Sequence, residues 1–94
     1  MVFDDLLYIE AASNYVILQT TQKRHITYLT FKGITANLPA DRFIKVHKSY
    51  IVALDKIESL NGEEIRIGNH TIPISRAMKE EVMEKVVNRN LWKR

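Results

Sequence analysis

The sequence predicts a mostly β domain of the β+α class, with one short internal helix and a C-terminal helix. Three observations carry this expectation. Two dipeptides that favour tight turns, Asn61-Gly62 and Gly68-Asn69, separate alternating apolar segments in the second half. In the first half, β-branched and aromatic residues gather in short runs between polar breaks. From Met78 onward the apolar residues return at helical spacing.

Leu6-Leu7-Tyr8-Ile9 and Tyr15–Thr20 read as strands, separated by Glu10-Ala11-Ala12-Ser13-Asn14. Gln22-Lys23-Arg24 is a polar turn, and His25–Thr30, enriched in Thr and Tyr, is the returning strand. Phe31 to Leu38 has room for two helical turns, which Pro39 closes by disfavouring helical geometry at Leu38. Arg42 to Val52 alternates apolar and cationic residues like a strand with one buried face, until His47-Lys48-Ser49 breaks the alternation. Lys56–Leu60, Glu63–Ile67 and His70–Ile74 form a three-stranded meander, with Ile65, Ile67, Ile72 and Ile74 on its buried face. Pro73 cannot donate to a ladder and belongs on an edge or at a bulge. Ser75 stands where a helix N-cap is expected. Met78, Val82 and Val86, with Met83 and Val87, make an apolar stripe opposed by Lys79, Glu80, Glu84 and Lys85. Such a stripe covers a core. Asn88 to Arg94 is expected to fray or to dock only in part.

At 94 residues, without internal linker, repeat or low-complexity stretch, the chain is expected to be a single domain over 1–94. The absence of cysteine removes disulfides, thiolate zinc sites and cysteine nucleophiles, and it fits a reducing compartment. No apolar run approaches the roughly 20 residues that span a bilayer. No basic-then-apolar signal opens the chain either. The expected location is therefore the cytoplasm, with no membrane partner. A net charge of +3 is compatible with a polyanion but is weak by itself. Its placement says more. Acids gather at Asp4-Asp5, Glu63-Glu64 and Glu80-Glu81-Glu84, whereas Arg42 to Lys48 carries cations and no acid.

Catalytic chemistry finds little support. His25, His47 and His70 have no partners at helical ligand spacing, so no metal site is expected. A triad from His47 and Ser49 would lack a glycine-rich nucleophile elbow. The three glycines form no phosphate loop, and no cofactor is expected. The chain does not read as an enzyme.

Polar groups remain where elements change direction: Ser13-Asn14-Tyr15, then Lys45 with His47-Lys48-Ser49, then Ser75-Arg76 with Lys79 one turn on. Each has a plain structural reading. Asn14 can shape a turn, Ser75 can cap a helix, and Lys45 can be a solvated strand residue. Arg76 resists that reading, because a cation in a first helical turn opposes the macrodipole. A packed strand gains nothing from His47-Lys48-Ser49. A loop presenting donors to phosphates and base edges does.

Tyr8-Ile9-Glu10-Ala11 before Asn14-Tyr15-Val16, then Phe43 to Val52, then Pro73-Ile74-Ser75-Arg76, resemble the LytTR domain, the DNA-binding output module of many bacterial response regulators. The resemblance covers about residues 5 to 87. It implies an elongated arrangement of short antiparallel sheets that docks loops into successive major grooves of double-stranded DNA. It also implies two copies on a short direct repeat and a phosphorylatable receiver domain N-terminal to the module. No receiver lies within this chain, and a homodimer on DNA would be held through that domain. Asn14, Lys48 and Arg76 fall on the family's base-reading positions, with Tyr15, Lys45, His47, Ser49, Ser75 and Lys79 as supports or phosphate contacts. Lysines at 45 and 48 replace the usual arginines and lose the planar fork that reads guanine. Lys45 is accordingly assigned to phosphate, and Lys48 stays open between phosphate and base. Ala53 replaces a common asparagine.

Two other functions remain to be weighed. A protein-interaction module with vestigial DNA binding would use an edge strand or the Met78/Val82/Val86 helix face, and exposure of that stripe would favour it. A single-strand or RNA binder would need an aromatic platform, which Tyr8, Tyr15, Tyr28, Phe31, Phe43 and Tyr50 do not form in any readable pattern.

Overall fold

The computed structural model describes residues 5–28, 30–39, 41–61 and 63–93, with side chains through Val86. Among the described residues eight strands and two α-helices follow in the order β1 (Leu6–Ala11), β2 (Val16–Thr20), β3 (Arg24–Thr27), α1 (Phe31–Ala36), β4 (Phe43–His47), β5 (Tyr50–Ala53), β6 (Ile57–Leu60), β7 (Glu64–Ile67), β8 (His70–Pro73) and α2 (Lys79–Lys93). Short 3₁₀ turns at Leu54–Lys56 and Arg76–Met78 join β5 to β6 and lead into α2. The strands form a five-stranded sheet, ordered β3-β2-β1-β5-β4, and a three-stranded sheet, ordered β6-β7-β8. All pairs are antiparallel. The principal extents are 36 × 27 × 24 Å, a modest elongation.

Both faces of the five-stranded sheet are covered, which explains why β4 and β5 carry apolar residues at successive positions. Side chains alternate across a strand, so Phe43 and Ile44 enter different cores. On one face Ile44, Val46 and Val52 meet Ile65, Ile67 and Ile72 of the small sheet, with Val82 and Val86 of α2. On the other, Ile9, Val16, Phe43 and Ile51 pack beneath Phe31 and Ile34 of α1. The stripe on α2 is thus buried, with Val82 fully inside.

The turns explain the register. Gly68, with φ 60°, takes the first central position between paired Ile67 and His70, as a type II′ hairpin requires. The Asn61 side chain accepts from the N–H groups of Glu63 and Glu64 at 2.8 and 2.9 Å, while Gly62 lies outside the described residues. Pro73 sits at the end of edge strand β8 opposite Glu64, and the ladder resumes where Ile74 N–H donates to the Glu63 carbonyl. Buried Thr20 closes the β2–β3 turn by accepting from Lys23 N–H and donating to the Lys23 carbonyl.

Several element ends shift by one to three residues, and three expectations change for a visible physical reason. β3 ends at Thr27 rather than Thr30, because Thr30 caps α1 by accepting from Gly33 N–H at 3.0 Å. A Cβ on Gly33 would lie 2.9 Å from that Thr30 hydroxyl, so glycine leaves room for the cap. Ser75 precedes a 3₁₀ turn but makes no side-chain cap bond. Its backbone is what is used, with the N–H donating to Val46 and the carbonyl accepting from Met78. α2 continues to Lys93, past the expected boundary at Asn88, since no glycine or proline interrupts it.

Ile65→Ala, at a site with no solvent exposure, should cost about 2–5 kcal/mol in urea unfolding. Ile26→Ala, at a side chain 58% exposed, should stay within about 0.5 kcal/mol.

Candidate nucleic-acid interface

Antiparallel pairing brings the end of β1, the start of β2, the end of β4 and the start of β5 to one end of the large sheet. Ala11 N–H donates to the Ser49 carbonyl at 2.8 Å, tying the β1–β2 loop to the β4–β5 turn. Ala12 N–H donates to the Tyr15 carbonyl at 2.9 Å and closes that loop upon itself. In β4 the ladder steps from Lys45↔Ile51 to His47↔Tyr50, leaving Val46 as an extra, unpaired residue. The Val46 carbonyl accepts instead from Ser75 N–H at 2.7 Å. That bond draws the segment bearing Arg76 to the same end. Asn14, Lys48 and Arg76, far apart in sequence, thus share one edge of the molecule, and all three are exposed.

The remaining candidates divide by burial. His47, Ser49, Ser75 and Tyr15 are half-buried, whereas Lys45 and Lys79 are exposed. His47 Nδ1 accepts from Ser49 N–H at 3.2 Å. In the neutral ring this hydrogen bond assigns the proton to Nε2. No described non-glycine residue has positive φ, so the Lys48-Ser49 turn is not a type I′ turn. The bulge at Val46 and the His47 acceptor accommodate it. Lys45 extends its ammonium over Phe31, 5.6 Å from the ring centroid. This is a cation–π contact that leaves the charge at the surface.

The sequence reading did not single out Tyr28 or Phe31 as site residues. Tyr28 is 77% exposed and meets Tyr15 edge to face, with centroids 6.1 Å apart. Tyr15, Tyr28 and Phe31, with Ser13 and Asn14, line an open groove of about 260 Å³. Three of the aromatic residues thus assemble locally, edge to face rather than as the flat stacking platform that a single-strand binder would need. The pattern Ile26-Thr27-Tyr28 held a signal: with Thr27 opposite Val16, Tyr28 falls beside Tyr15 just beyond the paired residues.

Behind the β4–β5 turn, Tyr50 packs edge to face on His47. Burial, and then the Glu10 charge, raise the Tyr50 phenol above its ordinary value. Burial likewise raises Tyr8, whose ring lies 6.2 Å from that of Tyr50. Among the described residues no group of His, Asp and Glu side chains is arranged to hold a metal ion. No described helix is long and apolar enough to cross a membrane.

A sheet that delivers three polar segments to one end, two of them bearing a cation, has the form of a nucleic-acid-binding domain. The model of the LytTr DNA-binding domain family matches residues 1–86, and the chain belongs to that family. Among solved structures, it is similar to the LytTr DNA-binding domain of a protein from Bacillus cereus titled a methyl-accepting/DNA response regulator. The TM-score is 0.78 at 19% identity, covering 93% of this chain and 84% of that one. No curated protein sequence matches it. The resemblance drawn from the three motifs is thereby borne out, as is the β-rich fold with a C-terminal helix.

A folded state that holds the Tyr50 proton more tightly than the unfolded chain has this stabilisation in full below about pH 10 and loses it as pH rises through the raised folded value. Tyr50→Phe should therefore lose stability less steeply than wild type above about pH 10. Urea unfolding across that range measures the two slopes.

Proposed function

We infer that this domain recognises a specific double-stranded DNA sequence and serves as the output of a two-component response regulator in the bacterial cytoplasm. DNA binding by a regulator domain follows from family membership. The observation that carries the finer reading is the convergence of exposed Asn14, Lys48 and Arg76 on one end through the Val46 and Ser49 carbonyls.

The chemistry of these groups suits division of labour. An asparagine amide can pair with adenine N6 and N7, and an arginine fork with guanine O6 and N7, in the major groove. Lys45 and Lys79 are point charges suited to phosphate, and Lys48 at the turn tip suits either role. His47, Ser49 and Ser75 act through the backbone geometry of the loops, with His47 Nε2–H free to donate to a phosphate. Three loops on one end suit a long footprint, and two copies on a direct repeat would double it. The competing reading, protein docking, loses its helix-face route because Val82 and Val86 are already buried in the core, which leaves it only an edge strand.

Selection from a random duplex library at moderate salt tests this reading, with an enriched short repeat as the expected outcome. Retention without any enriched sequence would reduce the domain to a basic surface, and no retention at low salt would sink the reading. On the selected site Arg76→Ala should cost about 1–3 kcal/mol and relax preference at one position. Lys45→Ala should weaken all sequences alike and lower the salt slope by about one. Equal binding of the selected site by wild type and Arg76→Ala would remove the base-reading role of that arginine.

A further inference from the structure

The groove beside Asn14 is not explained by phosphate binding or by hydrogen-bond readout alone. Three of its walls are rings, those of Tyr15, Tyr28 and Phe31, and Asn14 supplies an amide on its border. None of the residues that line it is a cation, and Lys45 lies against Phe31 outside the lining, so the groove is not built for a phosphate. Tyr15 and Tyr28 meet at an interplanar angle of 65° and present no common plane on which an unpaired base would stack. What the lining offers is a ring-walled recess next to an amide, with the hydroxyl-bearing Ser13 and Thr30 on its border. In the major groove one base pair presents a matching set: adenine takes the amide, and thymine adds a C5-methyl group that G·C pairs lack.

We propose that the Tyr15–Tyr28–Phe31 groove takes the C5-methyl edge of a thymine beside the base read by Asn14, with Tyr28 as the residue that recognises it. The proposal rests on the duplex-reading function above and adds to it the identity of one base. Tyr28 is suited to the role because its ring is exposed yet held by Tyr15. It lies outside both cores, so its replacement leaves the fold intact.

Uracil in place of thymine removes one methyl group and keeps Watson–Crick pairing, so it isolates the contact. Each thymine of the selected duplex is replaced in turn, and wild type, Tyr28→Ala and Tyr28→Phe are titrated against every probe. At one position uracil should weaken wild-type binding about three- to tenfold, the scale of one buried methyl group. Tyr28→Phe should keep that discrimination, and Tyr28→Ala should bind the thymine and uracil probes equally. The proposal is overturned if no uracil position affects wild type, or if Tyr28→Ala discriminates as wild type does. Failure of the library to yield any enriched site is a separate result, read before the uracil series. It removes the duplex-reading function and this proposal with it.

Discussion

Two backbone carbonyls, those of Val46 and Ser49, determine what the rest of the surface can do. Each lies at the end of the β4–β5 hairpin, and each accepts from a different part of the chain. The bulge makes this arrangement possible. A fully paired β4 would engage Val46 in the ladder, and Ser75 would lose its acceptor. Because these bonds are main-chain bonds, they fix where the loops sit without constraining which side chains the loops carry. The anchoring is generic, and the recognition is left to the side chains.

The two cores secure that hairpin from both sides. Val46 is fully buried against the small sheet, and Ile51 is buried beneath α1. Neither strand can slip by one residue without exchanging the contents of the two cores, so the register is tightly specified. The loop end inherits that rigidity. Lys48 and Arg76 are exposed but issue from a scaffold held on both faces.

Most of the architecture was legible in the sequence. The meander followed from Asn61-Gly62 and Gly68-Asn69, the edge position of β8 from Pro73, and the helix face from Val82 and Val86. Ser75 was misread because a serine before a helix looks the same whether its hydroxyl or its backbone is used. The hydroxyl that does cap a helix, on Thr30, was hidden inside a run that resembled a strand. Asn14, Lys48 and Arg76 were nameable from motifs, but their proximity depends on two long-range hydrogen bonds that no local pattern encodes. Tyr28 escaped for a related reason. Its neighbours Tyr15 and Phe31 come from the adjacent strand and the following helix, and only folding brings the three rings to one groove.

The free edge of β3 has a consequence for how copies of this domain coexist. An unpaired strand offers its backbone to any passing strand. Here that edge carries exposed Arg24 and His25, preceded by exposed Lys23. A second copy approaching edge to edge would meet the same cations. On the other sheet, Pro73 withholds a donor from β8, and exposed Glu58 lies on β6. At these three edges a second copy would therefore meet charge or a missing donor rather than a ready partner strand, so the domain is guarded there against open-ended strand pairing.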